Sequence, residues 1–126
     1  MKLRIKGSSL RLRLTQAEVA QLAAIGEVAE QVQFADATLT YRLRRDATAE
    51  TISAVFRGNV IDVRVPDGLA REWARNNEVT LAHSQAVPGA DLRIAIEKDF
   101  ACLAPREGED ESDHYPHPEA GSGKTC

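Results

Sequence analysis

The stretch that decides the fold is residues 3–15, which read LRIKGSSLRLRLT. Aliphatic residues alternate with Arg and Lys on both sides of Gly7, and this period of two is typical of two half-buried strands. Gly7 supplies the positive φ that a tight hairpin turn favours. The stretch therefore predicts a β-hairpin with one apolar face and one basic face.

A helix is predicted directly after this hairpin. Thr15 is a favourable N-cap residue, and Glu18 three positions later completes a capping box. Gly26 ends the helix, because glycine adopts the left-handed conformation of a helix C-terminus at low cost. Two further strands are predicted near residues 28–34 and 38–44, where apolar residues again alternate with polar ones.

The same order of elements returns about fifty residues later. Residues 54–66 read AVFRGNVIDVRVP and match the opening hairpin, with Gly58 in the place of Gly7. The helix that follows is expected to present Leu69 and Trp73 to the core. This second helix and two further strands are predicted near residues 67–75, 78–83 and 91–97.

These patterns predict an α+β fold built from a duplicated ββαββ unit, with about eight mostly antiparallel strands and two helices. Whether the strands form a curved sheet or a barrel is left open by the sequence. Residues 1–99 are expected to form a single α+β domain with repeats 1–48 and 50–99. Residues 100–126 are expected to form an acidic tail with two basic and six acidic residues.

Composition limits the class of protein. A chain of 126 residues with 43% hydrophobic residues is long enough to bury a core without disulfides or metals. No apolar run approaches the roughly 18 residues that a membrane span needs, and the N-terminus has no apolar segment typical of a signal peptide. We therefore expect a cytoplasmic protein that does not contact membranes.

The tail holds both cysteines and two of the three histidines. Cys102, His114, His117 and Cys126 offer two thiolates and two imidazoles, which suit tetrahedral Zn²⁺, and the thiols also suit Cu(I). Asp113 is placed to act as an oxygen ligand or to orient a histidine. The leading hypothesis is therefore a metal-binding accessory protein, and the alternatives are a metal-free acidic tail and a Cys102–Cys126 disulfide.

The polar face of the first repeat supports a second hypothesis. If the aliphatic residues of its strands point inward, the basic residues of the same strands share the opposite face. These residues are Arg4, Lys6, Arg11, Arg13, Arg42 and Arg44. Such a face is expected to bind a polyanion or a protein partner, or to mediate self-association, with the acidic tail able to cover it. The simpler alternative is a solvated face that prevents aggregation.

Nucleic acid is a less favoured ligand for this face. No aromatic residue lies among the arginines on this face, so the stacking platform of single-strand binders is missing. The chain is also acidic overall, with a net charge of −3. Because no catalytic triad order or dinucleotide-binding fingerprint occurs, an enzyme is less expected than a binding protein.

Three segments carry a family resemblance: MKLRIKGSSLRLRLTQAEV at the start, DLRIAIEKDFACL at 91–103, and EDESD at 109–113 before a proline and a final cysteine. Together they resemble a family of small bacterial proteins of unknown function over nearly the whole chain. Family tails usually read Asp-x-Phe-Pro-Asn-Pro, whereas residues 113–118 read DHYPHP here. If Asn suffices in the family, the shared features are Cys102, Asp113 and Cys126. The resemblance implies no activity.

Overall fold

A computed structural model describes residues 1–99 as eight strands and two helices in the predicted order. The first repeat contains β1 (Lys2–Ile5), β2 (Ser9–Leu14), α1 (Gln16–Ala24), β3 (Glu27–Gln33) and β4 (Thr38–Asp46). The second contains β5 (Ser53–Arg57), β6 (Val60–Pro66), α2 (Asp67–Arg75), β7 (Thr80–Val87) and β8 (Ala90–Lys98). The α+β class and the repeated ββαββ order are confirmed.

The strands of residues 1–99 form two four-stranded sheets, and each sheet takes one hairpin from each repeat. Sheet A has the order β1-β2-β8-β7, and sheet B has the order β3-β4-β6-β5. The pairs β2·β8 and β4·β6 at the sheet centres are parallel, whereas the four hairpin pairs are antiparallel. The two repeats therefore exchange hairpins, so neither sheet belongs to one repeat.

Local signals account for the turns and helix ends. Gly7 and Gly58, which match in the two repeats, have φ values of 54° and 58°, as the hairpin prediction requires. The Thr15 Oγ1 atom accepts a hydrogen bond from the Glu18 amide at 3.3 Å, and Glu18 Oε1 accepts one from the Thr15 amide at 2.9 Å. The predicted capping box is thus present, and Gly26 follows α1 with φ 98°.

The core lies where the apolar faces of the strands meet the helices. The most deeply buried large side chains are Leu12, Leu14, Leu22, Leu43, Val63, Val65, Trp73, Ile94 and Ile96. Two expectations about this core were wrong. Ile5, at the end of β1 away from the helices, is 58% exposed, and Leu69 is 39% exposed because Ala70 and Trp73 form the buried stripe of α2.

Hydrogen bonds join the two sheets near their edges. At the start of β1, the Met1 ammonium group donates to the Glu30 carboxylate at 2.5 Å, and the Tyr41 hydroxyl donates to the Met1 carbonyl at 3.0 Å. At the other side, the Gln85 side chain of β7 accepts from the Ala54 amide of β5 at 2.7 Å and donates to the Ala54 carbonyl at 3.3 Å. These contacts hold the apolar faces together.

Candidate anion-binding groove

The outer face of sheet A is built from the strand positions that alternate with the core residues. Strand register places Arg4 opposite Arg11, Arg11 beside Ala95, and Ala95 opposite Ala82. The next row along the strands contains Ser9, Arg93 and Ser84. Since side chains of one strand alternate between faces, all of these residues point away from the core.

These rows enclose a groove of about 670 Å³. Its charged lining residues are Arg4, Lys6, Arg11 and Arg93, and no Asp or Glu of residues 1–99 lines it. The floor of the groove lies below its cationic side chains, because Ala82, Ser84 and Ala95 have short side chains. The remaining lining residues are Ser9, Leu10, His83 and Ile94. The groove is therefore a cationic depression with a floor of small residues.

Carboxylates lie at the border of the groove and neutralise part of the face. Glu97 forms ion pairs with Arg11 at 3.5 Å and with Arg13 at 3.6 Å. Among the described residues, no carboxylate forms an ion pair with Lys6 or Arg93. Because neither cation forms an ion pair with a described carboxylate, both remain available to an external anion, and the acid next along the same face of β8 is Asp91.

The six basic residues proposed from the sequence do not share one face. Arg4, Lys6 and Arg11 line the groove, and Arg13 lies one row away on sheet A. Arg42 and Arg44 lie on β4 in sheet B, so their expected place beside the others was wrong. The error arose because the two hairpins of the first repeat were assumed to share a sheet.

One groove residue was missed as a candidate. Arg93 comes from β8 of the second repeat and lies beside Ser9 of the first repeat through the parallel β2·β8 pairing. Its alternation with the apolar residues Leu92 and Ile94 indicated an outward position, but nothing in the local sequence indicated its neighbours. Only the hairpin exchange brings Arg93 to the basic residues of the first repeat.

Sheet B shows a different arrangement at the equivalent place. Asp62, which is only 8% exposed, accepts hydrogen bonds from Arg42 and Arg44 at 3.2 Å and from Arg64 at 3.4 Å. Burial by itself raises the pKa of Asp62, but the hydrogen bonds and charges of Arg44 and Arg42 outweigh it, so the pKa is lowered. The hydrogen bond to Asp62 raises the pKa of Arg44. These arginines are thus held internally.

The predicted metal ligands Cys102, Asp113, His114, His117 and Cys126 lie outside the described residues. Within residues 1–99, no group of three or more His, Cys, Asp or Glu side chains is arranged to hold a metal ion. None of the helices in this part of the chain is long and apolar enough to cross a membrane. The metal hypothesis therefore stays a prediction from the sequence.

Comparison with known proteins places the chain in one family. A family model described as a family of unknown function (DUF7009) matches residues 1–119. No curated protein and no solved structure matches the chain.

Proposed function

We propose a role for this chain from its own residues, because it belongs to the DUF7009 family, a family of unknown function. The role is that of an interaction module that binds a polyanionic partner in the groove of sheet A, without catalysis. A single observation carries this proposal: the groove is lined by four basic residues and by no acidic residue of the described chain.

The exposure of these cations decides the kind of ligand. A solvent-exposed ion pair contributes only about 0.2–1 kcal/mol. One carboxylate or phosphate would therefore bind weakly, whereas a ligand with several negative charges can engage the cations together. Arg4 lies on β1 and Lys6 directly follows the strand, so their Cα atoms are at most about 7 Å apart along the chain. A chain of closely spaced anionic groups matches this spacing.

The groove favours an acidic protein segment over nucleic acid. Its described lining contains no Phe, Tyr or Trp, so bases would find no aromatic side chain on which to stack. An acidic segment requires only cations and polar groups, and Ser84 lies beside Arg93 in the strand register, whereas the Ser9 hydroxyl already donates to the Lys6 carbonyl at 2.6 Å. The proposed partner is therefore an acidic protein region, on another protein or on a second copy of this chain.

The test is titration of the full-length protein with poly-L-glutamate at low salt. The variant K6A/R93A removes the two groove cations that form no ion pair with a carboxylate of residues 1–99, so it breaks no ion pair of the described chain. We expect its affinity to fall about fivefold, which corresponds to roughly 1 kcal/mol. Added salt should reduce the difference because it screens exposed charges.

A matched control distinguishes the groove from overall charge. The variant R57A/R75A removes two exposed arginines outside the groove and gives the same net charge. We expect it to bind poly-L-glutamate nearly as the unaltered protein does. Equal losses in the two double variants would show that only net charge matters and would overturn the proposal.

The metal-binding role remains a separate prediction. Its proposed site lies in residues 102–126, and the described residues neither supply nor exclude its ligands. Zn or Cu bound there would not compete with the groove for residues, since the two residue sets do not overlap. Location in the cytoplasm and the identity of the partner likewise stay predictions.

A further inference from the structure

A second depression lies at the other end of the molecule, between the two helices. It has a volume of about 270 Å³. Its apolar lining consists of Leu14, Val19, Ala20 and Ala74, and its rim includes Gln16, Asn76, Asn77, Lys98 and Asp99. Sites for small organic ligands usually have volumes of roughly 300–1,000 Å³. The size of this cleft therefore suits one or two apolar side chains better than a separate ligand.

The chain leaves the described domain at this cleft. The Asp99 amide donates to the Leu14 carbonyl at 2.7 Å, which fixes the last described residue at the rim. The next residues, 100–103, read FACL and are the only apolar run between Asp99 and the acidic part of the tail. The apolar residues 100–103 therefore follow directly after a residue at the rim of an apolar cleft, so no connecting loop has to be ordered for them to reach it.

The neighbouring tryptophan provides an independent observation. Trp73 lies next to the lining residue Ala74, and the Lys98 Nζ atom is 5.2 Å from the centre of its ring. The Trp73 Nε1 atom is buried and has no hydrogen-bond partner among the described residues. A buried donor without an acceptor is costly, by about 1–3 kcal/mol. An acceptor from chain outside residues 1–99 would satisfy it.

We propose that residues 100–103 dock in the cleft between α1 and α2, with Phe100 and Leu103 supplying the apolar side chains. A backbone carbonyl of this segment would serve as the acceptor that the Trp73 Nε1 atom lacks among the described residues. The docked segment joins the tail to the domain, so the tail begins beyond residue 103. This inference does not rest on the proposed polyanion binding, because the two depressions share no residue.

The test uses the full-length variant F100S/L103S, with Y115S as a control that changes an aromatic residue of the tail outside the segment. We expect F100S/L103S to lower the thermal unfolding midpoint by about 5 °C or more. We also expect acrylamide to quench the fluorescence of Trp73, the only tryptophan of the chain, more strongly. Y115S should change neither measurement.

A second variant alters the cleft instead of the segment. Ala20 is exposed on α1, and A20E places a charge at the cleft without disturbing the helix, since Glu is a good helix former. A20E should also lower the midpoint, and combining it with F100S/L103S should add little because both changes remove one interaction. Fully additive effects, or an unchanged midpoint in F100S/L103S, would overturn the proposal. So would a loss that depends on protein concentration, which would indicate that a second copy covers the cleft.

Discussion

The outer faces of sheets A and B are built from the same repeated strand pattern, but their charged residues form different ion pairs. The duplication matches Arg11 with Asp62 and Ala95 with Arg42, and in each sheet these residues lie side by side on the central parallel strands. In sheet B the aspartate neutralises the arginines around it. In sheet A the matching arginine is paired with Glu97 at the border of the groove, and Ala95 leaves space beside it. The exchanged pair thus separates a face whose arginines share one buried acid from a face on which Lys6 and Arg93 form no ion pair with a carboxylate of residues 1–99.

The comparison also explains why basic residues alone do not define a site. Arg42, Arg44 and Arg64 are positively charged like the groove residues, but hydrogen bonds to Asp62 hold their guanidinium groups. An external anion would have to replace a carboxylate that is already desolvated and well placed. Anion binding therefore depends less on the number of positive charges than on whether the protein already pairs them with its own carboxylates.

The largest effect is expected from D62N, which removes the charge that distinguishes sheet B. Three arginines would lose their common acceptor, and since their side chains are still about one-third exposed, we expect a loss of unfolding free energy of about 1–3 kcal/mol. Urea unfolding measures this loss. D91N, which changes an exposed carboxylate at the start of β8, is the control and should change stability little.

D62N should also raise the affinity of sheet B for poly-L-glutamate, because it frees three arginines from their common carboxylate. An increase in the number of bound glutamate chains, or in affinity, is the expected result. If D62N is as stable as the unaltered protein and binds no more polyanion, Asp62 is not what separates the two faces.

A smaller effect is expected from R11D, which gives sheet A the acid that sheet B has. The carboxylate would lie opposite Arg4 and would neutralise the groove from within. We expect about a tenfold loss of poly-L-glutamate affinity, equivalent to about 1.4 kcal/mol. Unfolding free energy should fall by about 0.2–1 kcal/mol, because Arg11 loses its ion pair with Glu97 and the new carboxylate lies beside that acid. Unchanged affinity would show that the groove is not the binding site.

The smallest effect is expected from acid, measured as the stability difference between the unaltered protein and D62N. The folded-state pKa of Asp62 lies below its ordinary value of 3.8. Its contribution is therefore complete above pH 3.8 and is lost as the pH falls through the lower folded-state pKa. Urea unfolding at pH 7, 5 and 3 should show a constant difference at the first two values and a smaller one at pH 3. A difference that is the same at all three would contradict the role of the ionised carboxylate.

Most elements of the fold could be predicted from local signals. The period-two pattern of residues 3–15, the capping box at Thr15 and the recurrence of the pattern at residue 54 give the strands, the first helix and the duplication. The exposures of Ile5 and Leu69 could not be read in this way. Burial depends on whether another strand or helix packs against a residue, and the periodicity of one strand or helix does not predict this contact.

The candidate site was predictable only in part. Arg4, Lys6 and Arg11 were identified because alternation along a strand fixes which residues share its polar face. Arg93 was missed, and Arg42 and Arg44 were misplaced, because alternation does not state which strands become neighbours. Pairing between β2 and β8 joins residues more than eighty positions apart in the chain.

The sequence by itself determined the order of strands and helices, the start of the first helix and the repeat, since each follows from interactions among residues close in the chain. The bounds of the strand predicted near 78–83 were wrong, because the structure places it at Thr80–Val87. Only the tertiary structure decided that the repeats exchange hairpins and that Arg93 joins the basic residues of the first repeat. The physical reason is that strand pairing depends on which apolar faces are buried together, and this is settled by the packing of the whole domain.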